Sequence, residues 1–134
     1  MSVLIERLIS TCGYPLANVD NIDQLVAESE YLVLFFTNDP VRYQESNDVA
    51  VILPELQRAF QQRFQVAVVD RGSEQALKAR FPFNQWPALV FLRRGTQLQA
   101  ISKVRDWSEY RALIEPLLEQ GSGADQRIPN VSLS

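Results

Sequence analysis

The chain has 134 residues, 46% hydrophobic and 22% charged, with a formal net charge of -3, values close to those of ordinary soluble globular domains. That length suffices for one domain that buries roughly two thirds of the surface its unfolded chain would expose. There is no His and only one Cys, Cys12, which excludes an intramolecular disulfide, a CxxC pair, cysteine-rich or histidine-bearing zinc sites, and the Ser-His-Asp and Cys-His arrangements of many hydrolases.

The longest apolar runs are about six residues, far short of the roughly 20 that span a bilayer. The start, "MSVLIERLISTC", lacks a basic leader and an A-x-A-like cleavage site, so cytoplasmic residence is the expectation. Charge is uneven: the first 48 residues hold 8 acids and 2 bases, the remainder 8 acids and 11 bases. An acidic first half is a poor surface for nucleic acid and suits a basic peptide better.

In chain order, Leu4, Ile5, Leu8, Ile9 and Cys12 recur at helical spacing before Gly13, predicting an amphipathic first helix with Cys12 as a small buried hydrophobe on its apolar face. The short "LANV" predicts a brief strand, and Asp20 the cap of a helix through "NIDQLVAES". The continuous runs "YLVLFFT" at 31–37 and "FQVAVVD" at 64–70 predict central strands covered on both faces. Between them Val49, Ile52, Leu53, Leu56 and Phe60 form the stripe of a crossover helix that contains Pro54. "SEQALKARF" reads as a short helix. "ALVFLR" and "TQLQAISKV" flank Arg94-Gly95 as a hairpin. "DWSEYRALIEPLLEQ" predicts a last helix with Trp107, Tyr110, Ile114 and Leu117 along one face. The domain is expected over 1–120, with 121–134 a flexible tail.

This order of elements resembles the thioredoxin fold over roughly residues 14–119. "YLVLFF" resembles the strand entering the thioredoxin active site, "LPELQRAF" the proline-containing helix behind it, and "FNQWPALVFLRRGTQL" the stretch around its cis-proline, placing Pro87 at that position with Trp86 before it. The resemblance implies a thioredoxin-like three-layer α/β/α sandwich with a central mixed sheet. The segment that would carry a WCGPC-like motif reads "TNDPVRYQESNDV", and no residue in it supplies a thiolate for disulfide exchange.

A thioredoxin-like chain with a longer, acidic, cysteine-free loop, here with Asp39-Pro40, Arg42 and "SND" before the helix, is similar to the HyaE/HupG family of hydrogenase maturation proteins. That resemblance implies a non-enzymatic chaperone for the small-subunit precursor of membrane-bound nickel-iron hydrogenases, binding its twin-arginine signal peptide before export. It implies no cofactor and no metal. Partners are that precursor and other hydrogenase accessory proteins, with no nucleic acid and no membrane insertion.

In open α/β sheets ligands favour the carboxyl ends of the strands, where residues 37–48 fall. Asp39, Glu45 and Asp48 are there the candidates to bind guanidinium groups, and Phe83, Trp86 and Pro87 to receive an adjoining apolar segment. Each has a plainer rival. Asp48 is a helix-capping residue type, Asp39 and Glu45 can be solvated surface acids, and Trp86 and Phe83 can be core aromatics. The alternatives from other function classes are thiol exchange through Cys12 and a general protein-binding adaptor.

Overall fold

The structure, a computed structural model, describes residues 2–123. It comprises two compact units, one ending at Val104 and one beginning at Arg105.

In the first unit α1 spans Val3–Ser10, β1 Leu16–Ala17, α2 Ile22–Glu28, β2 Tyr31–Phe36, α3 Glu45–Ala59, β3 Gln65–Val69, α4 Glu74–Arg80, β4 Ala88–Arg93 and β5 Thr96–Ser102. The strands form one mixed sheet in the order β1-β3-β2-β4-β5. β1 and β2 run parallel to β3, while β4 runs antiparallel to both β2 and β5. The two continuous apolar runs are central strands, as expected, and all six residues of β2 are buried. In register, Phe35 stands opposite Val68 on one side and Leu89 on the other.

Strand side chains alternate between faces. Leu32, Leu34 and Phe36 join Ala67, Val69, Ala88, Val90 and Leu92 on one face, where Ile22 of α2 and Leu77 of α4 cover them together with Phe81 and Phe83. Phe91 has the opposite parity. Phe64 meets it edge-on at 5.6 Å, and Phe60, at the end of α3, lies 6.3 Å from Phe64. Leu53 and Leu56 of α3 and Ile5 and Leu8 of α1 are also buried. Helices therefore cover both faces of the sheet, and each such buried aliphatic contributes about 1.5–3 kcal/mol.

Three local expectations need correction. α1 stops at Ser10, and Cys12 lies beyond it, exposed rather than on the apolar face. The N–H groups of Thr11 and Cys12 both converge on the Arg7 carbonyl, and Gly13 at φ +75° turns the chain away. At α2 the N-cap is Asn21, not Asp20, and no side chain caps the helix; the Asn18 Oδ1 accepts the N–H groups of Asp20 and Asn21 in the turn before it, and the Asn18 carbonyl accepts that of Ile22. α3 begins at Glu45, so Asp48 lies inside its first turn and not at its cap, and Pro54 sits within the helix. The hairpin between β4 and β5 turns as predicted through Arg94 at φ +49° and Gly95 at φ +87°, the left-handed pair that a tight two-residue turn requires.

In the second unit α5 spans Trp107–Gly123, and the Asp106 carbonyl accepts the N–H of Tyr110 at 3.0 Å. Tyr110, Ile114 and Leu118 are its buried stripe, at i, i+4 and i+8. Trp107, by contrast, is 43% exposed and Leu117 only half-buried, so the stripe is rotated from the expected one. The helix also continues past Gln120 to Gly123. The tail expected at 121–134 lies, beyond Gly123, outside the described residues. No described helix is long and apolar enough to cross a membrane.

Candidate functional site

β2 delivers the chain at its carboxyl end into residues 37–44, which α3 then follows. Thr37 is buried, and its carbonyl accepts the hydroxyl of the fully buried Ser46 at 2.7 Å, pinning the loop to the first turn of α3. Asn38 adopts φ +51°, a left-handed conformation that Asn tolerates better than most residues. The Asp39 side chain accepts the N–H of Val41 at 3.0 Å, and its carbonyl accepts those of Arg42 and Tyr43. This Asp-Pro stretch is therefore a self-bonded turn, which presents Tyr43 toward the second loop of the site.

That second loop precedes β4, and its Trp86-Pro87 bond is cis. Phe83 is buried, lying 4.6 Å from Phe36 in the core and meeting Trp86 edge-on at 5.2 Å. Trp86 is half-buried, with Tyr43 at 6.0 Å and the Lys78 ammonium 4.7 Å from the centre of its ring. The indole N–H donates to Glu74 Oε1 at 2.7 Å, and Glu74 Oε2 accepts the Asn38 N–H at 2.9 Å. Burial pushes the Glu74 carboxyl above its ordinary range, and those two hydrogen bonds oppose the rise.

Four of the six candidate residues come together. Glu45, Asp48, Trp86 and Pro87 line a cleft of about 440 Å³ with Arg42, Tyr43, Gln44 and Lys103. Asp39 opens into a neighbouring cleft of about 540 Å³, which it shares with Asp48. Phe83 faces a third, beside the Gln97 to Ala100 stretch of β5. Phe83 and Pro87 are buried, so they back the surface, and Trp86 with Tyr43 forms its aromatic part.

The three carboxylates are not equivalent. Glu45 is committed internally, accepting the Val104 N–H at 3.0 Å and pairing with Lys103 at 3.5 Å. Asp39 uses one oxygen in its turn. Asp48 is exposed, and no hydrogen bond or ion pair engages its side chain among the described residues. With Arg42 and Lys103 also lining the cleft, the site is mixed in charge, and its open acceptors lie on the Asp39 and Asp48 side.

Sequence reasoning missed Tyr43, Lys78 and Glu74. Only long-range geometry identifies Glu74, whose partners are 36 and 12 residues away. Cys12 stands apart from all of these residues. It lines a separate cleft with Tyr31, Leu32, Gln65 and Val66 at the amino-terminal ends of β2 and β3, the opposite end of the parallel strands from the loop at 37–44.

Fold and site together define a thioredoxin-like protein in which a cysteine-free loop occupies the usual redox position. A thioredoxin from Halobacterium salinarum superposes with a TM-score of 0.63 at 18% identity, covering 87% of this chain and 93% of that one. Residues 4–110 match the family model described as Hydrogenase-1 expression protein HyaE. The chain is 42% identical over 128 residues to the hydrogenase expression/formation protein HoxO of Azotobacter vinelandii, covering 96% of this chain and 84% of HoxO. It is 43% identical over 113 residues to HupG of Rhizobium leguminosarum bv. viciae, covering 81% and 76%. A crystal structure described as that of a hydrogenase expression/formation protein HupG, from Rhodopseudomonas palustris, matches with a TM-score of 0.58 at 38% identity, covering 84% of this chain and 99% of that one. The chain belongs to the HyaE family of hydrogenase expression proteins.

Proposed function

We propose that the protein is a non-enzymatic, redox-inactive chaperone of the cytoplasm that binds the twin-arginine signal region of a nickel-iron hydrogenase small-subunit precursor and masks it until cofactor insertion is complete. The observation that carries this reading is the substitution of a thiol-free loop at the redox position of the fold, beside a cleft that joins Trp86 and Tyr43 to the free carboxylate of Asp48. Such a cleft can hold a peptide but has no group for thiol exchange.

Affinity comes from apolar contacts with the Trp86 and Tyr43 rings. The carboxylates raise the on-rate and select a basic partner. Asp48, with both oxygens open, and Asp39, with one, accept guanidinium N–H groups, while Glu45 contributes less because Lys103 already neutralises it. Size-exclusion chromatography of the protein with purified small-subunit precursor tests the reading. Co-elution with the full precursor and loss of co-elution without the signal region are expected. Equal binding of the two forms would move the contact to the mature subunit.

The exposure of Cys12 favours one rival, a mixed-disulfide step with a partner thiol. Cys12→Ser separates the two readings, since only the rival requires that sulfur.

A further inference from the structure

We propose that Glu74 is the positioning residue of this site, a buried carboxylate that clasps the loop after β2 to the cis-proline loop and sets the face of Trp86 that a bound peptide meets. The role of Trp86 toward a ligand rests on the peptide-binding reading above, whereas the clasp rests on geometry alone. Glu74 opens α4 and is only 4% exposed. Its two oxygens are divided between two loops, Oε2 accepting the Asn38 N–H at 2.9 Å and Oε1 the Trp86 indole N–H at 2.7 Å.

Among the described residues no cation forms an ion pair with it, although the charge of Arg71 favours its ionised form. A carboxylate in such a place is costly unless hydrogen bonds satisfy it. The bonds that do so here come from the two segments that build the cleft. Burial raises the carboxyl's pKa, and the Asn38 and Trp86 donors, with smaller contributions from the Thr37 backbone and Arg71, lower it.

The chemistry requires a carboxylate. The two N–H groups are held by two different oxygens, so Gln in this place sets its NH₂ donor against one of them and keeps an acceptor for the other only. One turn further along α4, Lys78 places its ammonium 4.7 Å from the Trp86 ring centre and 5.2 Å from that of Phe83. Glu74 and Lys78, at i and i+4, share one side of the helix. Trp86 is thus held at its N–H by Glu74, over its ring by Lys78 and at its edge by Phe83. The remainder of its surface faces Tyr43, Arg42 and Asp48 across the cleft.

The test reads the clasp and the ligand separately. In a Trp107→Phe background the emission reports Trp86 alone, because the chain has two Trp. Glu74→Gln in that background is expected to shift the emission to the red and to weaken binding of a synthetic peptide, two adjacent arginines followed by an apolar run, about tenfold. Trp86→Phe keeps an aromatic ring but deletes the donor, and is expected to weaken the same peptide comparably. The double variant should bind no worse than the weaker single, since both changes remove one bond. Unchanged emission in Glu74→Gln, or, where the unaltered protein binds the peptide, affinity unchanged in Trp86→Phe, would overturn the proposal; the second variant decides it even if the first fails to fold. A red shift together with no peptide binding by the unaltered protein would support the clasp and reject the peptide-binding reading.

Discussion

Tyr14 and Glu74 show how burial acts on single residues in opposite parts of the molecule. The Tyr14 hydroxyl donates to Gln57 Oε1 at 2.7 Å. Burial first, and the charge of Cys12 second, push its pKa from the ordinary 10.0 up to about 12, against the opposing pull of Arg58. The fold therefore favours the neutral phenol, and its contribution to stability is whole below pH 10.0 and lost as pH rises toward about 12. A spectrophotometric titration should show one tyrosine ionising late, and Tyr14→Phe should flatten the alkaline decline in stability. For Glu74 the folded carboxyl is raised, so the folded chain holds its proton to higher pH than the unfolded chain does, and stability from this group is present below the ordinary carboxyl range and lost as pH rises through the raised value. The stability of the unaltered protein relative to Glu74→Gln should accordingly fall as pH rises from acid to neutral, measured by denaturant titration at several pH values. No such slope would contradict the burial described for Glu74. The positions of Asp39, Glu45 and Asp48 near the loop could be read from the sequence. Their different commitments could not, because the tie of Glu45 to Val104 joins residues 59 apart.

At the scale of elements, apolar runs and periodicity located β2, β3 and the body of α3, because burial on one or both faces writes itself into the spacing of hydrophobic residues. The β4-β5 hairpin was equally legible, since Arg94-Gly95 is a turn signal with a backbone reason. Helix ends were not. α3 begins ahead of its first apolar residue because Ser46 bonds the Thr37 carbonyl and Glu45 holds the Val104 N–H, and neither contact leaves a hydrophobic trace. Cys12 continued the apolar spacing of α1 but falls past its end. The Ser46 bond is open to test. Ser46→Ala should cost about 1–3 kcal/mol of unfolding free energy, because it leaves a buried carbonyl without its donor. A cost near zero would mean that the loop is not anchored there.

At the scale of the whole molecule, the thiol and the candidate site lie at opposite ends of the parallel strands. Cys12 is exposed, so an alkylating reagent should modify it in the native state. Cys12→Ser should nevertheless leave peptide binding unchanged, and the unaltered protein should show no turnover in a disulfide-reduction assay. Loss of binding in Cys12→Ser would favour the mixed-disulfide reading. The open carboxylates of Asp39 and Asp48 also predict that added salt slows association with a basic peptide more than it speeds dissociation, because exposed charges are screened over about 10 Å at 0.1 M ionic strength.

The most direct measurement is calorimetric titration of the protein with the twin-arginine signal peptide of the cognate hydrogenase small subunit, repeated with both arginines changed to lysine. Lysine keeps the charge but lacks the planar fork that pairs with a carboxylate. Binding of the native peptide, clearly weakened in the lysine form and in Asp48→Asn, is the expected result. Absence of binding by the native peptide would contradict the masking mechanism at its centre.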